Sequence, residues 1–223
     1  MCSTSGSARV FLAAEMAAEV GAAGRVCGID VSDSMLAIAA ARGAAPDAAT
    51  VELARGSAEE IPYDDGSFDV VVTTQVLEYV PDVAAALAEI HRVLRPAGRV
   101  LILDTDWDSL VWQAPDEELM TRVLAAWEEH LVDPHLPRTL ARSLATAGFE
   151  TRPPTVLPLL NAGDPDDSFS GILLGLVASF VTDRHGLDRE TVDAWAASMR
   201  ELGADWFFSL NRYVFLATRT TAG

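Results

Sequence analysis

Residues 24–35, GRVCGIDVSDSM, give the strongest indication of the fold of this chain. A short apolar run ends in a single carboxylate, Asp30, and Ser32 follows at a position suited to cap a helix that begins at Asp33. This pattern predicts a buried parallel strand with Asp30 at its carboxyl end. Open α/β sheets bind their ligands at that edge.

The composition excludes several classes of protein. The chain has 223 residues, half of them hydrophobic, which is typical of one globular domain spanning 1–223. Its longest apolar stretches, such as Ile172 to Val181, are too short to span a bilayer, and its first residues lack a signal-peptide core. The 33 acidic against 16 basic residues give a net charge of −17. This charge repels phosphate backbones and anionic lipid, so neither nucleic acid nor membrane is expected as a partner.

The cysteines carry little information about chemistry. Cys2 and Cys27 are the only two, one at the terminus and one inside a predicted strand. Neither a disulfide framework nor a thiolate metal cluster is therefore expected, and a reducing cytoplasm is the predicted location.

The first half of the chain alternates strands and helices. This order predicts a doubly wound parallel sheet with right-handed crossovers. The predicted strands are Val26–Asp30, Val51–Arg55, Phe68–Thr74 and Arg99–Thr105. The predicted helices are Val10–Val20, Asp33–Arg42 and Val83–Leu94.

The second half has a different pattern and includes a helical insertion. Helices are predicted over Asp116–His130, Arg138–Ala147 and Asp188–Leu202, with Gly148 as a helix stop, and Phe169 to Thr182 is an apolar stretch. Two further strands, Thr155–Leu160 and Phe207–Thr218, are expected to pair as an antiparallel hairpin at the sheet edge.

Three ordered segments carry a resemblance to a known family. They are GRVCGIDVSDSML (24–36), ARGSAEEIPYDDGSFDVVVTTQVLEYVPD (54–82) and LAEIHRVLRPAGRVLILD (87–104). The chain resembles the class I S-adenosylmethionine-dependent methyltransferases, in the small-molecule branch that includes ubiquinone/menaquinone-type enzymes. The resemblance implies a Rossmann-like sheet, S-adenosylmethionine as cofactor and methyl transfer to a small apolar or amphipathic molecule. Residues 1–106 would then form the cofactor-binding half and residues 107–223 the substrate-side half.

The resemblance assigns the first group of cofactor-binding residues to the stretch after the first predicted strand. It implies that Asp30 accepts hydrogen bonds from the ribose hydroxyls, beside Ser32, and that Met35 packs on an adenine face. The alternatives are that Asp30 is an acid at a helix start and that Met35 is part of the core.

A second group of cofactor residues follows the next strands. Ser57 and Ala58 occupy the place where the family usually has Asp-Ala at the adenine edge, so the contact is neutral unless Glu59 substitutes. Gln75 ends the central strand, where family members offer backbone groups to the methionine moiety. Its alternative is a polar residue in a turn.

The main departure from the family lies at the front of the chain. The family has a first central strand and a glycine-rich loop, and the spacing places Gly6 to Val10 at that loop with one expected glycine left. The first central strand, between the strands ending at Asp30 and Thr74, is apparently absent. Three explanations remain open: a truncated gene or misplaced start, a remodelled segment Met1 to Ser7 that fills the gap, or a partner that supplies the strand.

The acceptor pocket is expected within Trp107 to Thr182, beyond the ligand-binding edge of the sheet. Tyr79, Trp107, Trp112 and Phe169 are candidate pocket walls, although aromatic residues at such spacings are also common in cores.

Two residues are candidate bases if the acceptor is a hydroxyl, Glu78 and His135. His91 is expected to be structural. Asp104, Asp106 and Asp108 alternate along the chain, but no metal site is expected from them.

Two rivals to methyl transfer follow from the altered front of the chain. One is a non-methylating cyclase or isomerase that uses the same pocket. The other is a non-catalytic subunit whose open sheet edge docks on another chain, and a homo-oligomer or a partner chain that completes the sheet is also considered.

Overall fold

The computed structural model describes residues 6–41 and 48–221. Its helices are α1 (Gly6–Val20), α2 (Asp33–Ala41), α3 (Val83–Val93), α4 (Glu117–Glu128), α5 (Pro137–Thr146), α6 (Phe169–Val181) and α7 (Arg189–Arg200). Its strands are β1 (Arg25–Asp30), β2 (Thr50–Arg55), β3 (Phe68–Thr74), β4 (Leu94–Thr105), β5 (Val111–Trp112), β6 (Phe149–Thr151), β7 (Thr155–Ala162) and β8 (Phe207–Arg219). Short 3₁₀ turns cover Leu77–Tyr79, Trp107–Ser109 and Gly203–Asp205.

The described strands form two separate sheets. β1 and β2 pair in parallel, with Asp30 opposite Arg55. In the larger sheet β3 is parallel to β4, and β8 lies antiparallel to β4 on one side and to β7 on the other. The α/β fold is thus confirmed, and so is the antiparallel pairing of the last two long strands. β5 and β6, which also pair with β8, were not predicted.

The break between the sheets lies where the first central strand was expected to be absent. Among the described residues, β1 pairs only with β2 and β3 only with β4. The first residues of β1 and β3 are nevertheless in contact. The guanidinium of Arg25 lies 5.7 Å from the ring centroid of Phe68. The explanation that Met1 to Ser7 fills the gap falls largely on residues 1–5, which lie outside the described ranges.

The segment Gly6 to Val10 forms the start of α1 and not a loop. This agrees with the expectation that the glycine-rich loop of the family is missing or degenerate in this chain. Only Gly6 has the freedom of a missing Cβ, whereas Ser7, Ala8 and Arg9 accept a helical backbone readily, with alanine the strongest helix former of all.

The helix boundaries follow from local side chains. Asp82, Asp116, Ser168 and Asp188 each accept the backbone N–H three residues later and so cap α3, α4, α6 and α7. Gly148, at φ +87°, follows α5 and is the predicted stop. Within the described ranges, no helix combines the length and apolar character needed to cross a bilayer.

Three hydrophobic clusters hold these elements together. Helices α3 and α5 pack on the larger sheet through a cluster that includes Leu87, Leu140 and Phe215. Helices α4, α6 and α7 surround a second cluster, rich in tryptophan, that reaches Phe208 of β8. In the smallest cluster, beneath α1, the buried members among the described side chains are Ala17, Val26 and Ala49.

Candidate functional site

The segment after β1 forms a compact turn around Asp30. Its Oδ1 accepts the backbone N–H of Ser32 at 2.8 Å, and Ser32 Oγ accepts the N–H of Met35 at 3.4 Å. Asp30 and Met35 are both half-buried. A carboxylate has further acceptor positions on its two oxygens, so Asp30 is suited to bind hydroxyl donors at this edge.

A cleft of about 590 Å³ lies beside this turn. It is lined by Val31, by Ser57 after β2 and by Arg92 of α3, among others. Ala58 packs against the hydrophobic cluster instead, and Glu59 accepts the backbone N–H of Asp82 at 3.0 Å. Of the three residues predicted at the adenine edge, Ser57 is thus the one that lines the cleft.

A buried hydrogen-bond network follows the end of β3. Gln75 has φ +52°, a left-handed conformation that is rare for residues other than glycine. Its side-chain amide accepts from the Thr105 hydroxyl at 2.9 Å and donates to Glu78 Oε1 at 2.9 Å. Glu78 Oε2 in turn accepts from Trp107 Nε1 at 3.1 Å. Residues predicted separately as cofactor, catalytic and substrate residues are therefore joined in one network.

Two further charged residues border this network. Asp104, fully buried, accepts the backbone N–H of Val76 at 3.1 Å. Arg212, opposite Thr105 in the β4–β8 register, lies 4.9 Å from the ring centroid of Phe169. Burial lowers the pKa of Arg212, and the charge of Glu78 partly counters this effect. Sequence reasoning missed Arg212 because β8 reads as an apolar strand.

The predicted pocket walls divide between two aromatic groups. Trp107 packs against Trp127 at a centroid distance of 5.7 Å, close to the network of Glu78. Trp112 lies in the core of the insertion, in edge contact with Trp195, Trp206 and Phe208. The structure therefore brings Tyr79 and Trp107 to the end of β3 and β4 and keeps Trp112 apart from them.

His130, which the sequence pattern treated only as a helix end, is the second residue missed. Only 8% of it is exposed, and Tyr79 and Trp107 lie 5.7 and 5.6 Å from it between ring centroids. Burial lowers its pKa to about 4. No local sequence signal marks this position, because three of its four ring contacts, with Tyr79, Trp107 and Phe180, come from segments distant in sequence.

His135 belongs to an ion-pair cluster at the end of β4. Its Nδ1 lies 3.3 Å from Asp106 Oδ1 and 3.9 Å from Asp108 Oδ2. The guanidinium of Arg138 donates to both carboxylates, at 2.6 to 2.9 Å. Burial raises the pKa of Asp106, but the bonds from Arg138 and His135 outweigh it and hold the pKa below its usual value. Three ligand atoms lie within 4.8 Å here, yet oxygens of both acids already accept hydrogen bonds from the single guanidinium of Arg138.

The described site consists of a carboxylate, Asp30, and a polar residue with a strained backbone, Gln75, at the carboxyl ends of parallel strands. This arrangement is typical of α/β proteins that bind a ligand at that edge of the sheet. Residues 4–102 match the profile of the methyltransferase domain family. This part of the chain is therefore similar to methyltransferase domains, and the cofactor of the S-adenosylmethionine-dependent members of that family is S-adenosylmethionine.

Two curated proteins illustrate the similarity in sequence. The chain is 40% identical over 149 residues to an uncharacterized 37.1 kDa protein in transposon TN4556 of Streptomyces fradiae, covering 65% of this chain and 41% of that protein. It is 38% identical over 96 residues to a demethylmenaquinone methyltransferase of Bacillus mycoides, covering 43% of this chain and 40% of that enzyme. The chain thus spans about two fifths of the length of these curated relatives.

Solved structures share the fold. The YcgJ protein of Bacillus subtilis superimposes with a TM-score of 0.58 at 16% identity, covering 96% of this chain and 99% of that one. A SAM-dependent methyltransferase of Methanosarcina mazei superimposes with a TM-score of 0.57 at 15% identity, covering 96% and 87%.

The residues present fit the adenosyl half of the cofactor. A half-buried carboxylate at the end of β1 is complementary to two ribose hydroxyls, and the neighbouring cleft has the size of an ordinary small-molecule site.

Proposed function

We propose that this protein transfers a methyl group from S-adenosylmethionine to a small apolar or amphipathic molecule. The observation that carries the proposal is that Asp30 ends β1 and Gln75 follows β3, both at the carboxyl ends of parallel strands. The similarity to a demethylmenaquinone methyltransferase supports an apolar acceptor.

In the proposed complex, Asp30 accepts hydrogen bonds from the ribose hydroxyls and Met35 packs on the adenine. Ser57 borders the adenine edge, and the backbone at Gln75 contacts the methionine end. When bound, the cofactor supplies an electrophilic methyl group on a sulfonium. The chain contributes mainly by holding the acceptor in line with that methyl group and excluding water.

The network of Gln75, Glu78 and Trp107 keeps the end of β3 in its strained conformation. Both Glu78 oxygens receive donors from this network, which supports a positioning role in addition to the predicted role as a base. His135, the other candidate base, pairs with Asp106 at the end of β4.

Two measurements test the proposal. Calorimetric titration with S-adenosylhomocysteine is expected to show binding weaker than low micromolar, because a helix start replaces the glycine-rich loop. Transfer of labelled methyl from S-adenosylmethionine to a panel of naphthols, quinols and fatty acids then tests the reaction. Absence of any binding at millimolar ligand overturns the proposal. Binding without transfer to any panel member favours the cyclase or isomerase alternative.

Among the described residues, β1 and β3 each pair on one side only, which favours a second proposal, that a partner chain or a second copy completes the sheet. Light scattering during size-exclusion chromatography tests it. An assembly whose dissociation on dilution lowers the affinity for S-adenosylhomocysteine supports the proposal, and a monomer with concentration-independent affinity contradicts it.

A further inference from the structure

Around the middle of β3, β4 and β8, described helices cover the larger sheet on one face only. In β4, Val100 and Ile102 lie on the face under α3 and α5 and are at most 1% exposed. Leu101 and Leu103, which alternate with them, are only half-buried, and on their face of the sheet Leu216 of β8 is 44% exposed. Successive residues of a strand lie on opposite faces, so this alternation separates a buried face from an open one.

The uncovered side carries six aliphatic residues, which we call the open face: Val70, Val72, Leu101, Leu103, Val214 and Leu216. They lie side by side, since Leu101 is opposite Val72 on one neighbouring strand and opposite Leu216 on the other. None of them belongs to the three hydrophobic clusters of the described residues. A sheet face that stays in water normally carries polar residues, and a contiguous exposed apolar patch marks an interaction site.

Two opposite charges border the open face near the start of the sheet. Arg99 of β4 and Glu150 of β6 lie on the two sides of Thr218 of β8, each directly opposite it in the strand register. They are therefore two strand spacings apart, about 10 Å, with β8 halfway between them. Both side chains are exposed, and neither forms an ion pair within the part of the chain that the structure describes.

We propose that a second copy of this chain packs on the open face, with β8 of one copy lying over β8 of the other. A two-fold axis along β8 places Arg99 of each copy beside Glu150 of the other, because these residues lie at equal distances on either side of that strand. Leu216 then packs against Leu216 of the second copy. The contact is self-complementary, as a two-fold interface requires, with an apolar centre and paired charges at its rim.

The charge of the chain favours this surface for a contact between two copies. The net charge of −17 opposes association through most of the protein surface. The six residues of the open face are uncharged, and Arg99 balances Glu150 beside them. Two copies therefore meet there with little repulsion.

Charge reversal in the full chain tests the pairing at the rim. Arg99→Glu and Glu150→Arg each place like charges together at both rim contacts of the two-fold interface. Each is expected to raise the dissociation constant of the dimer about tenfold in sedimentation equilibrium. Mixed in equal amounts, the two variants are expected to associate as tightly as the wild type, because every rim contact of the heterodimer then joins opposite charges. Failure of the mixture to associate overturns the proposal.

A second pair of variants tests the apolar centre. Leu216→Glu is expected to give a monomer. Leu160→Glu is the matched control and is expected to leave the dimer unchanged, because Leu160 is 62% exposed on the opposite face of the same sheet. The proposal is overturned if the two variants behave alike. It is also overturned if the wild type stays a monomer at high micromolar concentration, which would assign the open face to a partner of different sequence.

A last measurement separates this dimer from an assembly that completes the sheet beside β1 and β3. The open face contains none of the residues proposed to bind the cofactor. Wild type and Arg99→Glu are therefore expected to bind S-adenosylhomocysteine with the same affinity, although only the wild type is a dimer at the concentration used. An affinity that falls as the dimer dissociates would place the contact at the strand edges and contradict the use of the open face.

Discussion

The side-chain amide of Gln75 donates to the Glu78 carboxylate at 2.9 Å while the backbone of Gln75 is held at φ +52°. The same amide accepts from Thr105 on the neighbouring strand. The side chain of Gln75 thus bonds to both Glu78 and Thr105 and holds the strained backbone that follows β3.

Replacing Gln75 should therefore cost stability. Gln75→Ala leaves the fully buried Glu78 without one of its donors, and we expect a loss of about 1–3 kcal/mol in the free energy of unfolding, measured in urea. Gln113→Ala, at an exposed glutamine, is the matched control and should change it by less than about 0.5 kcal/mol. Equal effects in the two variants would show that the network does not stabilise the fold.

The two buried indoles of Trp107 and Trp112 offer a sharper comparison. Trp107 Nε1 donates to Glu78, whereas Trp112 Nε1 has no partner among the described residues. Trp107→Phe is expected to cost about 1.5–3 kcal/mol more than Trp112→Phe, because only the first removes a hydrogen bond to a carboxylate. Thermal and urea unfolding of both variants measure this, and a larger loss for Trp112→Phe would contradict it.

Asp30 is predicted to be the main ribose anchor. Asp30→Ala should weaken binding of S-adenosylhomocysteine by about 1.5–3 kcal/mol, the range for a hydrogen bond to a charged group. Asp33→Ala, three residues later, removes an exposed carboxylate that pairs with Arg55 and should leave the affinity unchanged. The assignment fails if calorimetry finds the same affinity for Asp30→Ala and the wild type, with the melting temperatures confirming that both are folded.

His130 makes stability depend on pH in a defined window. An unfolded histidine has a pKa of about 6.5 and folded His130 one of about 4, so the unfolded chain binds more protons between these values. The contribution of His130 is fully present above about pH 6.5 and is lost as the pH falls towards 4, by up to roughly 3 kcal/mol. Urea unfolding at several pH values should give a steeper decline for the wild type than for His130→Phe. Parallel curves for the two proteins would contradict this prediction.

The sequence predicted best where one segment determines its own structure. The run FDVVVTT forms β3 with the predicted bounds, and the strand ending at Asp30 begins one residue earlier than expected. The last strand was paired correctly with Thr155–Leu160 because both are apolar and flank the helical insertion.

The candidate site was predictable only in part, since its contacts join distant segments. The positions of Asp30 and Gln75 at the ends of β1 and β3 could be predicted because both follow apolar runs, and their roles stay predictions. His130 and Arg212 were missed. A histidine after a helix and an arginine within a strand are not marked by their neighbours in sequence. Only the packing of α6 on His130 and the pairing of β4 with the strand of Arg212 bring them to the site. The loss of the glycine-rich loop was expected from the missing glycines, but the helix that replaces it at the start of α1 was not predicted to begin before Val10.

The break between the two sheets predicts which strands unfold locally first. Among the described residues, Asp30 ends a strand of a two-stranded sheet, whereas Gln75 follows a strand of a six-stranded one. Small sheets with few paired strands have low free energies of local opening. Backbone amides of β1 and β2 are therefore expected to exchange with deuterium well before those of β3 and β4. Under the proposed function the cofactor contacts both sheets, and its binding is expected to slow exchange most on the side of Asp30.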